Sequence, residues 1–239
     1  AQKPNLYTVL LTPNMGRYYD IAPAPPRVSI VSACCADRLF AEPLAVRRPP
    51  GPPGAAVRLV GLGTIQVYKR WRLAAEALLL LDDAERQRLE ISVYGPTLNE
   101  PEAQRYDRHL RGMIARHGLE RNLRLCGNTR DVPGCLRAAD WFFLPSTNEP
   151  CSVALIEALA LGVPVLVSAS GGNVDIVDSS KAGMLFEPDS ARDLAACFRR
   201  ILAGGATPAA PADLRETVRE RSASTVAAQY RRLYLEVLG

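Results

Sequence analysis

Three scarcities in this sequence each remove a class of function. There are only two histidines, His109 and His117. They lie two turns apart in a run of Arg and Glu, which reads as a solvated helix face and not as a metal centre. The six cysteines (Cys34, Cys35, Cys126, Cys135, Cys151 and Cys197) contain no Cys-x-x-Cys spacing and have no histidine at ligand spacing. No metal site is expected from them, and reduced thiols of a cytosolic protein are. No stretch reaches eighteen consecutive apolar residues, and the chain does not open on a basic-then-apolar signal layout. The expectation is therefore a soluble, cytoplasmic protein. Lysine is nearly absent too, since 26 of the 29 cationic residues are Arg, and these are scattered over a chain of net charge +4. Without a basic stripe interleaved with aromatics, nucleic acid is not an expected partner.

What is present is enough apolar material, 48% of 239 residues, for one large or two small domains with real cores. From Val57 onward the order is regular. Strands are expected at 57–60, 91–94, 123–126, 141–144, 163–167 and 183–186, with helices at 69–81, 103–117, 153–160 and 190–202 between or after them. Gly118 is placed to end the second helix in a left-handed conformation, and Ser190 with Asp193 has capping-box spacing at the last. Strands alternating with helices predict an α/β fold, a Rossmann-like parallel sheet with helices on both faces. Gly61-x-Gly63 follows the first strand, but Gln66 stands where a dinucleotide fingerprint needs its third glycine. The pair is therefore read as a tight turn near phosphate and not as an NAD site.

The flanks read differently. Residues 1–54 hold two short apolar runs, Tyr7–Leu11 and Val28–Val31, among Pro13, Pro23, Pro25, Pro26 and a Pro- and Gly-rich loop at 49–54, and are expected to be a connecting segment. The Rossmann-like domain is expected over 55–204, and a linker with a C-terminal helix over 205–239. Val226, Tyr230, Leu233, Tyr234 and Val237 form one stripe of that helix.

The stretch 141–172 organises the rest. Pro150 forces Glu149 into an extended conformation, and Ser152 can cap the amides that follow, so Glu149 sits on a loop and Glu157 on a helix. Eight helical steps would hold the two carboxylates roughly 12 Å apart, too far for a retaining glycosidase pair at about 5 Å. Two carboxylates flanking a helix N-terminus suit a long ligand with hydroxyls at both ends and an anion in the middle, which is the shape of a nucleotide sugar.

Glu149-x7-Glu157, with Pro145-Ser146 before it and Ala158-Leu-Ala-Leu-Gly-Val-Pro164 and Gly171-Gly172 after it, resembles the nucleotide-sugar site of GT-B retaining glycosyltransferases of family 4. The resemblance implies that the chain is the donor-binding C-terminal half of such an enzyme, a retaining hexosyltransferase that would be incomplete as this chain alone. It implies an NDP-sugar as substrate and no cofactor. The partners implied are a sugar, lipid or other small acceptor and an N-terminal acceptor-binding domain, on which the family often carries a membrane-facing surface. By position, Glu149 would sit beside the transferred sugar as the catalytic residue, and Glu157 would accept hydrogen bonds from the ribose. Gly171 and Gly172 would let the backbone approach the sugar donor closely. Lys69 would hold the pyrophosphate beside Gly63, and Asn128 and Thr129 would lie near the base.

The sequence departs from the family pattern in several places. Thr64 stands where the family has a second cation, and Pro150, Cys151 and Ser152 replace Gly-Phe-Gly ahead of Val153. Asp175 replaces Glu after the glycine pair. Pro150 removes one amide donor to the sugar. There is no Asp-x-Asp pair. These departures keep two other readings open: a catalytically inactive nucleotide-sugar-binding or assembly module, and a GT-B UDP-sugar epimerase.

Overall fold

The short Val- and Leu-rich runs become strands of a parallel sheet in the computed structural model, which describes residues 7–21, 28–46, 55–177 and 182–238. Its strands are β3 (Val57–Leu62), β4 (Leu89–Tyr94), β5 (Leu123–Gly127), β6 (Trp141–Leu144), β7 (Val165–Ser168) and β8 (Gly183–Phe186), in the order β5-β4-β3-β6-β7-β8. Every pairing is parallel. β6 and β7 are buried at every position, as a sheet covered on both faces requires. Counting these six strands alone, the order is that of a Rossmann sheet, with the chain reversing direction across the sheet between β3 and β6.

Helices α3 (Arg72–Leu79), α4 (Asp83–Gln87), α5 (Pro101–Arg116), α6 (Val132–Arg137), α7 (Val153–Ala160), α8 (Asn173–Val177) and α9 (Ala191–Leu202) connect or follow these strands. One side of the sheet carries an aromatic cluster. Phe143 of β6 lies 6.2 Å from Trp71, 6.4 Å from Phe186 and 6.1 Å from Phe198, centroid to centroid. Gly61 lies inside β3, not in a turn, and a Cβ there would come within 2.6 Å of the Trp71 ring. Its missing side chain makes room for an indole, which corrects the reading of this glycine as part of a phosphate turn.

Local signals set several ends. Ser152 caps α7, its hydroxyl accepting from the amide of Leu155, and Gly118 follows α5 at φ +63°. At α9 only half of the capping box forms: Ser190 accepts from the Asp193 amide, while the Asp193 carboxylate turns to the Glu187 amide. The helix expected over 69–81 is split. Val67–Lys69 forms a 3₁₀ turn, Arg70 takes a left-handed conformation (φ 55°), and α3 starts at Arg72.

The N-terminal segment is more than a connection. It carries β1 (Thr8–Leu10) and β2 (Val28–Ile30), paired in parallel, with α1 (Pro13–Tyr18) between them and α2 (Arg38–Ala41) after them. Residues 211–238 supply α10 (Pro211–Glu216) and α11 (Ala223–Leu238). Val226 and Leu233 of α11 pack on Val31, with Tyr7, Val9 and Tyr230 around them. The far end of the stripe, Tyr234 and Val237, is exposed. Arg215 of α10 joins the pieces, donating to the carbonyls of Ala160, Phe40 and Glu42 and so occupying a free carbonyl at the end of α7. The 49–54 loop and the prolines at 23, 25 and 26 lie outside the described residues.

Candidate functional site

Open α/β sheets leave a crevice at the carboxyl ends of the strands where the chain reverses, and here that crevice lies beyond β3 and β6. The loops leaving these two strands are fastened across it. Lys69, on the 3₁₀ turn after β3, places Nζ 2.5 Å from Oε2 of Glu149 in the loop after β6. Both residues are 8% exposed. The amide of Thr147 donates to the carbonyl of Tyr68 at 2.9 Å alongside. The left-handed Arg70 ends the 3₁₀ turn directly after Lys69. Gly63 lies beneath, a Cβ there falling 3.2 Å from the Lys69 stem. The side chain at Thr64 brings no cation, and its carbonyl accepts from the indole of Trp71.

Glu149 is held from behind by the glycine pair. The amide of Gly172 donates to the Glu149 carbonyl at 2.7 Å. A Cβ on Gly171 would fall 2.2 Å from that carbonyl oxygen, and one on Gly172 would fall 2.1 Å from the carbonyl oxygen of Pro150. The two glycines therefore make room for the protein's own loop. They act on Glu149 through this packing.

Sequence reasoning missed α1. Thr12 donates its hydroxyl to the Pro150 carbonyl at 3.1 Å, and the amide of Asn14 donates to Asp175 at 2.9 Å. The Asn14 side chain donates to the Gly171 carbonyl. Asp175 is thereby tied to an N-terminal helix. Between α1 and the loops at 148–150 and 171–172 lies a cleft of about 280 Å³, with Arg17, Tyr18 and Tyr19 on one wall and Glu149 on the other. Pro13 at the start of α1 was a legible helix signal, but nothing local announces where such a short helix docks.

Cys151 and Ser152 are buried at the start of α7, and Val153, its first residue, is 43% exposed. The six cysteines are unpaired. Among the described residues no three His, Cys, Asp or Glu side chains converge as a metal site, and no helix is long and apolar enough to cross a membrane.

The family model for glycosyl transferases group 1 matches residues 47–221, which include the crevice and both of its loops. The chain belongs to the group 1 glycosyltransferases. D-inositol 3-phosphate glycosyltransferase of Geodermatophilus obscurus is 34% identical over 185 residues, covering 75% of this chain and 39% of the relative. Mannosylfructose-phosphate synthase of Agrobacterium fabrum is 29% identical over 139 residues, covering 57% and 30%. The chain thus spans less than half the length of these relatives. Among solved structures, sucrose-phosphate synthase of Thermosynechococcus elongatus superposes with a TM-score of 0.80 at 22% identity, over 96% of this chain and 58% of that one. Anabaena HepE, in complex with UDP and glucose, gives 0.77 at 17% identity, over 95% and 62%. The sheet and its helices have the GT-B fold of these glycosyltransferases.

In this group 1 glycosyltransferase the remaining predicted residues lie on α7 and in the loop after β5. Glu157 is half-buried on α7 near Arg38 and Cys35 of the N-terminal segment. Burial raises its pKa above the ordinary carboxylate value, with Arg38 opposing. The folded protein then binds more protons than the unfolded chain in the window just above that ordinary value. Glu157 thus contributes stability that is fully present below the window and lost as pH rises through its folded pKa. Glu157→Gln is expected to flatten this part of a plot of urea midpoint against pH; an unchanged slope would show that the carboxyl is solvated.

Asn128 and Thr129 follow β5, which stands two strands from β3 in the sheet. Thr129 Oγ1 accepts from the amide of Asp131 at 3.1 Å, the work of a turn residue.

Proposed function

We propose that this chain is the donor-binding, C-terminal half of a retaining family 4 glycosyltransferase, and that an NDP-sugar lies across the crevice beyond β3 and β6. The observation that carries the reading is the buried Lys69–Glu149 pair at that crevice, next to the N-terminus of α7. The two ions are exchangeable partners. A diphosphate takes Lys69 and the free amides ahead of Val153, while hydroxyls of the donor sugar take Glu149. The ligand thereby replaces one charge pair with two sets of charge-assisted contacts. Glu157 receives the ribose, and the loop with Asn128 and Thr129 lies toward the base. That solved relatives hold UDP makes UDP the first nucleotide to test.

In the transfer itself, an acceptor hydroxyl forms its bond to C1 of the sugar on the face from which the diphosphate leaves. The C1–O bond to the diphosphate breaks, and the hydroxyl proton passes to the departing phosphate oxygen. Glu149 orients the sugar and Lys69 stabilises the charge that develops on the leaving group, a role for which the chain offers no Asp-x-Asp pair. Residues 55–204 form the donor-binding unit, and the exposed end of α11 faces the acceptor-binding half. The unpaired cysteines support a reducing compartment, the cytoplasm.

Calorimetric titration with UDP, GDP, ADP and their sugar conjugates tests this reading. One diphosphate is expected to bind selectively, and Glu157→Ala is expected to lose that binding. Equal affinity in the variant would remove the ribose role from Glu157, and binding of none would overturn the donor reading.

A further inference from the structure

Resting on the sugar-donor reading above, we propose that the cleft between α1 and the two glycine-backed loops is the acceptor subsite, and that it takes a sugar or polyol ring bearing an anionic group such as a phosphate ester. Its place relative to the reacting centre comes first. Glu149 turns its carboxylate to Lys69 at the crevice, and its residue forms one wall of the cleft. A ring in the cleft and a sugar at the crevice would therefore lie on either side of the same residue.

Size and lining define the ring. About 280 Å³ is at the lower limit of small-molecule sites, which run to roughly 300–1,000 Å³, and suits one ring rather than an oligosaccharide. Tyr18 and Tyr19 are 62% and 55% exposed, and their rings stand edge to face at 4.9 Å and 87°. Such a pair offers one ring face with the edge of the other at right angles to it, beside phenolic hydroxyls, suited to the apolar face and hydroxyl rim of a pyranose or cyclitol, and two stiff side chains lose little entropy on binding. Asn14 is already anchored to the Gly171 carbonyl and holds that side of the cleft in place.

Charge defines the substituent. Glu149 is paired with Lys69 before the donor binds, and Asp175 accepts from the Asn14 amide. Arg17 also lines the cleft, and no ion pair or hydrogen bond engages its side chain among the described residues. An unpaired guanidinium beside an exposed aromatic pair is suited to two-pronged recognition of a phosphate or carboxylate on a ring.

The test uses this chain with UDP present, titrated by saturation-transfer NMR with glucose 6-phosphate, glucose and inorganic phosphate. Glucose 6-phosphate is expected to bind, and glucose about tenfold more weakly because it lacks the charge-assisted contact. Arg17→Gln should bring glucose 6-phosphate down to the level of glucose. Tyr18→Ala with Tyr19→Ala should weaken both sugars and leave inorganic phosphate unaffected. UDP affinity, unchanged in both variants, reports that they are folded. Glucose 6-phosphate binding that equals glucose, that survives Arg17→Gln, or that is absent while UDP binds would overturn the subsite and leave the donor reading standing. Failure of UDP to bind while glucose 6-phosphate binds would overturn the donor reading instead.

Discussion

Glu149→Ala is expected to lower the unfolding free energy by about 3–5 kcal/mol, the usual cost of stranding one partner of a buried ion pair. Lys69 and Glu149 are both 8% exposed, so water cannot substitute for the missing partner. Lys69→Met should cost a similar amount, because the carboxylate is then the ion left alone. Joining the changes as Lys69→Met with Glu149→Leu should recover most of the loss, since a well-packed apolar pair often matches a buried ion pair in stability. Urea denaturation of the unsubstituted protein, Lys69→Met, Glu149→Leu and the double variant closes the cycle. Single-variant losses below about 0.5 kcal/mol would show the pair to be solvated as surface pairs are. Function is expected to separate from stability. The double variant should fold and fail to bind a nucleoside diphosphate, because the crevice has lost its cation. In a protein competent for transfer, Glu149→Gln should keep nucleotide binding and abolish turnover.

The second large effect falls on the glycine pair. Gly171→Ala forces a Cβ to 2.2 Å from the Glu149 carbonyl at a residue held at φ +59°. Left-handed strain of about 1–2 kcal/mol adds to an overpacking cost of about 1–3 kcal/mol. Gly172→Ala has no positive φ and should show the overpacking cost alone, through its 2.1 Å approach to Pro150. Gly118→Ala is the control: φ is +63° and nothing lies within 4 Å, so only the strain remains. Thermal unfolding of the three variants should rank Gly171 as the most damaging and Gly118 as no worse than the backbone strain. The glycine changes should also weaken binding of glucose 6-phosphate, since the loop they displace walls the cleft. Equal, small effects at all three positions would mean that the loop at 149–150 yields without cost.

Much of the sheet was legible because its signals are local. Periodicity placed the six strands within a few residues, and Ser152 and Gly118 marked helix ends through bonds and dihedrals that depend only on near neighbours. The split at 67–72 was not legible. Leu73, Ala74, Ala75, Ala77 and Leu78 give the helical period, while the left-handed Arg70 that separates them from the 3₁₀ turn is a tertiary outcome. Its guanidinium pairs with Asp189 at 2.6 Å, and the next residue, Trp71, is drawn into the core over Gly61. No pattern within those few residues encodes either contact.

The same division runs through the site. Glu149 and Glu157 could be picked out as candidates from a loop and a capped helix start, whereas Lys69 and the glycine pair were marked only by the resemblance to family 4 glycosyltransferases. The sequence by itself thus determined an α/β sheet with a helix N-terminus between two carboxylates, and a resemblance to glycosyltransferases. Only the tertiary structure decided that Lys69 and Glu149 neutralise each other, that Gly171 and Gly172 face Glu149 and Pro150, and that α1 closes a cleft against them. The Lys69–Glu149 contact and those of α1 join residues 80 to 161 positions apart, and the glycine contacts join the loops after two neighbouring strands. Packing of the whole sheet brings such groups together, and local backbone preferences do not reach that far.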